Sequence, residues 1–143
     1  MTVKTILSAK GGEVVTIEPN ASLATAVKRL VERNIGALVV TGADRRIVGI
    51  LSERDIVHAL ATQGAAALDQ KLSEAMTRKV MTCSQSDTIS SVMERMTDGK
   101  FRHLPVVEQS RLLGIVSIGD VVKLRLQQME REQSALRDYI QTA

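Results

Sequence analysis

The chain has 143 residues, a formal net charge of +3 and 44% hydrophobic residues, which suits one folded domain rather than a disordered segment. One Cys and two His are too few for an intrachain disulfide or a Cys/His metal site, and no apolar run approaches the roughly 20 residues of a membrane span. The first residues lack the layout of a secretory signal, so the sequence predicts a cytoplasmic protein without a membrane partner.

Basic and aromatic residues do not favour nucleic-acid binding. Small basic clusters occur at residues 45–46, 78–79 and 100–102, and we interpret each as solvated surface. The chain has no Trp, and its single Phe and single Tyr are Phe101 and Tyr139. Stacking of bases on aromatic rings is therefore disfavoured, and a nucleic-acid partner is not expected.

In chain order, residues 14–17 form a short extended segment with the composition of a strand. An amphipathic helix follows, with Ser22 as its N-cap and apolar side chains at helical spacing at Leu23, Ala26, Val27, Leu30 and Val31. Two apolar strands, residues 37–41 and 47–51, are separated by the polar turn GADRR. A second helix begins near Glu53, which completes a β-α-β-β-α unit.

The same unit occurs again later in the chain. GILSERDIV at residues 49–57 matches GIVSIGDVV at 114–122, and VVTIEPNASLATAV at 14–27 matches VMTCSQSDTISSVM at 80–93. The second copy has strands at residues 80–83, 104–107 and 112–116, a helix capped by Thr88, and a helix from about Ile118. The copies cover about residues 13–60 and 79–126. Because each is too small to bury much surface alone, we expect them to pack together.

The segments outside the two copies are also helical in pattern. Residues 61–76 predict a helical linker with a break at Gly64. At the C-terminus a helical stripe, interrupted by Gln133, is formed by Val122, Leu126, Met129, Leu136 and Ile140. This helix either packs back on its own domain or pairs with a second subunit. We divide the chain into a first repeat with the N-terminal segment and linker (1–76), a second repeat (77–125) and a C-terminal helix extension (126–143).

Taken together, GILSERD, GIVSIGD, FRHLPVV and the paired openings VVTIEP and VMTCSQ resemble a tandem pair of CBS (cystathionine-beta-synthase-type) domains, a Bateman module. The resemblance covers about residues 3–125 and suggests a stand-alone pair. It implies an α+β (α/β) fold in which two β-α-β-β-α repeats, related by a pseudo-twofold axis, pack through their sheets. It also implies regulation rather than catalysis, flat homodimers, and two clefts for AMP, ADP, ATP, S-adenosylmethionine or NAD.

Two Ser-x-x-Asp motifs, Ser52 with Asp55 and Ser117 with Asp120, have two interpretations. The spacing is that of a helix capping box, with Ser as N-cap and Asp at the third helical position. The resemblance implies instead that each Asp accepts the ribose hydroxyls, while each helix N-terminus and its Ser bind phosphate. The two roles are compatible, since a cap and a ligand can share the start of a helix.

The resemblance assigns further residues to the clefts. Arg54 can bring charge to a phosphate where the second copy has Gly119, so we expect the clefts to differ. Arg102 and His103 are expected to reach a phosphate, and protonation of this His would make affinity depend on pH. Main-chain atoms at the adenine edge and apolar walls of the adenine slot are assigned to Thr16, Ile17, Thr82, Cys83, Ala37, Leu104 and Pro105.

Simpler interpretations of these residues stay open. Each apolar residue of the strands is compatible with ordinary packing, and Arg102 with His103 is compatible with a surface Arg beside a hydrogen-bonded His. A nucleophilic Cys83 with His58 or His103 as its base is disfavoured because no third orienting group is evident. We predict a regulatory module with no required cofactor, which binds AMP first and NAD(H) second and acts on an unknown regulated protein. The alternative is an interaction or oligomerisation module with vestigial clefts.

Overall fold

A computed structural model describes residues 1–142, and it confirms two repeats of mixed helix and strand. The first part of the chain forms α1 (Val3–Lys10), β1 (Thr16–Ile17), α2 (Leu23–Arg33), β2 (Ala37–Thr41), β3 (Ile47–Ser52) and α3 (Glu53–Gln63). The second part forms α4 (Ile89–Gly99), β4 (His103–Glu108), β5 (Arg111–Ser117) and α5 (Ile118–Thr142).

The first repeat is built around a three-stranded sheet in the order β1-β2-β3, with β1 parallel and β3 antiparallel to β2. Strand β2 is buried on both faces, so its Leu38, Val39 and Val40 are fully inaccessible to solvent. Helix α2 begins where predicted, because the Ser22 side chain accepts a 3.1 Å hydrogen bond from the Thr25 backbone N–H.

The second repeat has the same plan with a shorter opening strand. Strands β4 and β5 pair antiparallel, and the predicted strand at residues 80–83 is reduced to one parallel bridge between Cys83 and Val106. The Cys83 N–H donates to the Pro105 carbonyl (3.0 Å), and the Val107 N–H donates to the Cys83 carbonyl (2.9 Å). Because Pro105 has no N–H, it cannot donate the next hydrogen bond between β4 and the segment before Cys83. This explains why the two segments pair over a single bridge.

The glycine that opens each repeated nine-residue motif has a steric role. A Cβ atom on Gly49 would lie 2.5 Å from the Met76 sulfur, and one on Gly114 would lie 2.6 Å from a Leu7 methyl carbon. At this point the end of the linker, at Met76 and Thr77, crosses β3 in the first repeat, and α1, at Leu7, crosses β5 in the second repeat. At Gly49 the added atom would also lie 3.0 Å from the Thr77 carbonyl oxygen, so the close approach there favours a residue without a side chain.

Of these two crossing segments, the linker packs on the first repeat, as the predicted division of the chain expects, whereas α1 does not. The linker breaks at Gly64 (φ 69°), as predicted, and its turns Gly64–Asp69 and Leu72–Glu74 bury Ala67 and Leu72 in the core of the first repeat. Helix α1, which we grouped with the first repeat, instead buries Val3 and Ile6 in the core of the second repeat. Main-chain hydrogen bonds hold it there, including one of 2.9 Å from the Val3 N–H to the Asp87 carbonyl.

The C-terminal helix continues well past its own repeat. Only the first turns of α5 contribute to the core, through Val121 and Leu124. Farther along, Leu126, Leu136 and Ile140 are 54%, 59% and 66% exposed, so this part of the helix does not fold back on the chain. Within residues 1–142, none of the helices combines the length and the hydropathy of a membrane span.

Candidate ligand-binding clefts

Two clefts lie between the repeats at equivalent positions. The large cleft, about 1190 Å³, lies between the start of α3, the α4–β4 turn and residues 77–81. The small cleft, about 370 Å³, is lined by the matching parts: the start of α5, the α2–β2 turn and residues 10–15. Small-molecule sites usually enclose about 300–1,000 Å³. Both clefts can therefore admit a small ligand, and the large one has room to spare.

At the mouth of the large cleft, Ser52 and Asp55 form the predicted capping box. The Ser52 hydroxyl oxygen accepts from the Asp55 N–H (3.3 Å), and Asp55 Oδ2 accepts from the Ser52 N–H (2.9 Å). The other carboxylate oxygen accepts a 3.2 Å hydrogen bond from the Thr77 hydroxyl. Capping does not remove this carboxylate from the site, since both residues also line the cleft wall.

The small cleft has the same box with an added cation. The Ser117 N–H donates to Asp120 Oδ2 at 2.9 Å, and the Asp120 N–H donates to the Ser117 hydroxyl at 3.2 Å. The Lys10 ammonium contacts the same Asp120 oxygen at 2.7 Å. Burial alone would raise the pKa of Asp120, but the hydrogen bonds from Lys10 and Ser117 outweigh it and lower the pKa below the ordinary 3.8.

The large cleft has a cationic wall. Its lining includes five cationic side chains (Arg54, Lys79, Arg95, Lys100 and Arg102) and three acidic ones (Glu53, Asp55 and Asp98). Arg54 of α3 donates a 3.0 Å hydrogen bond to the Lys100 carbonyl, which joins the two repeats across the cleft. The basic clusters at 78–79 and 100–102, which we interpreted as solvated surface, thus contribute side chains to this wall.

His103 lies on the wall that the two clefts share. Its ring packs against Gly36, where an added Cβ would lie 3.3 Å from the His103 Cε1 atom. Burial lowers the pKa of His103 below the ordinary 6.5; Glu53 and Asp120 oppose this shift, whereas Lys10 and Arg102 add to it. The ring is therefore mainly neutral at pH 7 rather than a cation.

Several predicted site residues do not line either cleft. Ile17 and Cys83 are buried in the cores of their repeats, and Leu104 and Pro105 are buried within β4. The opening threonines use their carbonyls internally: those of Thr16 and Thr82 accept hydrogen bonds of 2.9 and 3.0 Å from Arg29 and Arg95. The predicted residues that do line a cleft are Ala37, Ser52, Arg54, Asp55, Arg102, His103 and Ser117, whereas Asp120 caps α5 beside the small cleft without lining it.

Other residues that line the clefts were not predicted as site residues. Lys10, Val14 and Val15 line the small cleft, and Met81 and Phe101 provide apolar surface in the large one. For Val14, Val15 and Met81 the repeat alignment contained a signal, because it pairs residues 14–15 with residues 80–81. Neither pair of residues has a periodic pattern that distinguishes a cleft wall from strand packing.

Cys83 does not have the properties of a nucleophile. Burial, with a smaller contribution from the nearby Asp87 carboxylate, raises the pKa of its thiol to about 11. A thiol with such a pKa is protonated at neutral pH, and the thiolate is the nucleophilic form. Within residues 1–142, no group of three or more His, Cys, Asp or Glu side chains is placed to hold a metal ion.

Comparisons with known proteins agree with this architecture. The CBS domain family model matches residues 3–62 and 72–127. The CBS-domain containing protein ATU1752 from Agrobacterium tumefaciens is 51% identical with a TM-score of 0.86, covering 87% of this chain and 99% of that one.

Two further solved structures contain ligands. The CBS domain pair of protein MJ0100, in complex with 5′-methylthioadenosine and S-adenosyl-L-methionine, is 30% identical (TM-score 0.79; 90% of this chain, 98% of that one). The CBS domain protein PAE2072 from Pyrobaculum aerophilum, complexed with AMP, is 26% identical (TM-score 0.75; 84% of this chain, 89% of that one). The ligands of both proteins contain adenosine.

Proposed function

The chain belongs to the CBS-domain family, and on that premise we propose that it is a regulatory module that binds adenine nucleotides between its repeats. AMP is the first ligand that we propose and NAD(H) is the second. The adenosine compounds bound by MJ0100 and PAE2072 support this class of ligand. The regulated protein and the cytoplasmic location stay predictions from the sequence.

One observation carries the proposal: the Ser52–Asp55 junction of the first repeat faces a cationic wall formed largely by the second repeat. A carboxylate at a helix start can accept both hydroxyls of a ribose in charge-assisted hydrogen bonds. The N-terminus of α3 directs the positive end of its helix dipole toward the cleft, which favours a phosphate there. Lys100 and Arg102 supply positive charge from the opposite side.

The apolar part of the same cleft suits a purine base. Ala37, Ile50, Met81 and Phe101 all line it, and together they provide surface against which a flat ring can pack. The volume of about 1190 Å³ exceeds that of a typical single-ligand site, so a dinucleotide such as NAD(H) also fits. The charge of the wall favours phosphorylated adenosine over the free nucleoside.

Calorimetric titration of the purified chain with AMP, NAD⁺, NADH, ATP, S-adenosylmethionine and adenosine tests the proposal. We expect AMP to bind most tightly and adenosine more weakly, because adenosine cannot use the cationic wall. Thermal unfolding with the same ligands provides a second readout, since a ligand at 100 times its Kd stabilises the folded state by about 2.7 kcal/mol. If none of them binds or stabilises at millimolar concentration, the interaction module with vestigial clefts is the correct alternative.

We also propose that the chain forms a homodimer through the stripe on α5. Leu126, Met129, Leu136 and Ile140 are 48–66% exposed and follow the spacing of a two-stranded coiled coil, with the polar Gln133 at one inner position. Charges of both signs flank the stripe at Arg125, Glu130, Glu132 and Arg137. A second copy of the helix can therefore bury the stripe and pair opposite charges.

Light scattering after size exclusion tests the homodimer. We expect a mass of about twice the 15.6 kDa of one chain, and a single-chain mass for Leu126→Lys combined with Leu136→Lys. Val31→Lys is the matched control, because Val31 is also exposed (75%) but lies on α2, away from the stripe. A wild-type mass of one chain, or a double variant that stays dimeric, contradicts the proposed interface.

A further inference from the structure

The two clefts differ most at the partner of their acidic residue. In the large cleft, Asp55 meets the neutral hydroxyl of Thr77 at 3.2 Å. In the small cleft, the segment at the equivalent position ends α1 and presents Lys10, whose ammonium lies 2.7 Å from Asp120. One carboxylate thus has a weak neutral partner, and the other has a cation.

This difference changes what each carboxylate can bind. A carboxylate holds sugar hydroxyls through free anionic oxygens, and a charge-assisted hydrogen bond to an ammonium is about twice as strong as a neutral one. The Lys10 and Ser117 bonds both fall on Asp120 Oδ2, so a ribose that is held by both carboxylate oxygens must compete with the Lys10 contact. Lys10 and Ser117 line the small cleft, whereas Asp120 lies behind them in contact with Lys10.

The remaining walls of the small cleft do not favour a phosphate. Lys10 is the one Lys or Arg among the described residues that line it, and its charge is already balanced by Asp120. Glu13 adds a negative charge, and the buried His103 ring is mainly neutral at pH 7. The volume of about 370 Å³ is also near the lower limit of known ligand sites.

We propose that Lys10 is the specificity-determining residue that makes the two clefts unequal. By pairing with Asp120 it withholds the small cleft from nucleotides, so each chain binds one nucleotide, in the large cleft. The inference rests on the proposed function, because it concerns where an adenine nucleotide binds. Substitution of Lys10 frees the second carboxylate and opens a second site.

Calorimetric titration with AMP measures the number of sites directly. We expect one AMP per chain for the wild type and two for Lys10→Met, which keeps the length of the side chain but removes its charge. Combining Lys10→Met with Asp120→Asn should return the number to one, because the freed carboxylate is lost again. Lys4→Met is the matched control and should keep one site, since Lys4 is exposed on the same helix.

The outcomes separate this inference from the proposed function. Two AMP per wild-type chain, or a single site in Lys10→Met, overturns the role of Lys10 and leaves nucleotide binding intact. If the wild type binds two AMP and Lys10→Met binds one, Lys10 binds the ligand instead of excluding it, and its proposed role is overturned. Absence of binding in the wild type and in every variant overturns the proposed function and this inference together.

Discussion

Replacing Asp55 by Asn separates the two roles of this side chain, capping of α3 and binding of a ribose. The amide oxygen of Asn can still accept from the Ser52 N–H, which Asp55 binds at 2.9 Å, and the amide group can still hydrogen-bond to Thr77. The charge is lost, and the substituted side chain is a weaker acceptor for sugar hydroxyls. Stability and affinity are therefore expected to respond differently.

The size of each effect follows from these contacts. Loss of the negative charge in the first turn of α3 should lower the free energy of unfolding by about 0.3–1 kcal/mol, because that charge interacts with the helix dipole. Hydrogen bonds to a charged group contribute about 1.5–3 kcal/mol, so the Kd for AMP should rise about 10- to 150-fold. Asp55→Ala, which removes the capping bonds as well, should cost about 0.5–2 kcal/mol of stability.

Two assays on the same samples decide the matter: urea denaturation without ligand, and calorimetric titration with AMP at a temperature where every variant is folded. Asp55→Asn is expected to lose affinity strongly and stability slightly. If its Kd stays within twofold of the wild type while Asp55→Ala is destabilised, the carboxylate is only a helix cap, and its assignment to the sugar is refuted.

Three further predictions concern pH, thiol chemistry and packing. Burial holds the pKa of His103 in the folded chain below 6.5, so the unfolded chain binds more protons than the folded one as the pH falls through that value. Urea denaturation should therefore show a lower free energy of unfolding at pH 5.5 than at pH 7.5. An equal loss in His103→Gln contradicts this prediction. Iodoacetamide at pH 7.5 should label Cys83 only after unfolding, and rapid labelling of the folded chain would show that its thiol is neither buried nor protonated as described. Gly49→Ala should lower the free energy of unfolding, measured in urea, by about 1–3 kcal/mol, because the added methyl group meets Met76 and the Thr77 carbonyl. Gly119→Ala is the control: its methyl group meets no atom closer than 3.6 Å, so it should not lower the stability of the fold.

Local signals in the sequence were enough to predict most of the fold. Apolar periodicity gave β2 with its observed bounds, and both helices that follow the repeated Ser begin at the predicted residues, Glu53 and Ile118. The caps Ser22 and Thr88 are confirmed by hydrogen bonds of 3.1 Å to backbone N–H groups. Each of these features depends on residues close together in the chain, where propensity and capping act.

The parts that were not predicted depend on contacts between distant residues. Lys10 and Asp120 are 110 positions apart, and only the packing of α1 on the second repeat brings them together. The shortened strand at Cys83 follows from the missing N–H of Pro105, whose effect depends on the register between two strands. Three basic residues of the large cleft, Lys79, Lys100 and Arg102, lie in turns, where no periodic pattern distinguishes a cleft wall from open surface.

A crystal structure of the chain grown with AMP tests the central claim most directly. The account predicts one AMP per chain in the large cleft, with its ribose hydroxyls within hydrogen-bond distance of Asp55 and its phosphate between the start of α3 and Arg102. Electron density for AMP elsewhere, or a ribose that makes no contact with Asp55, contradicts the assignment of this junction as the nucleotide site.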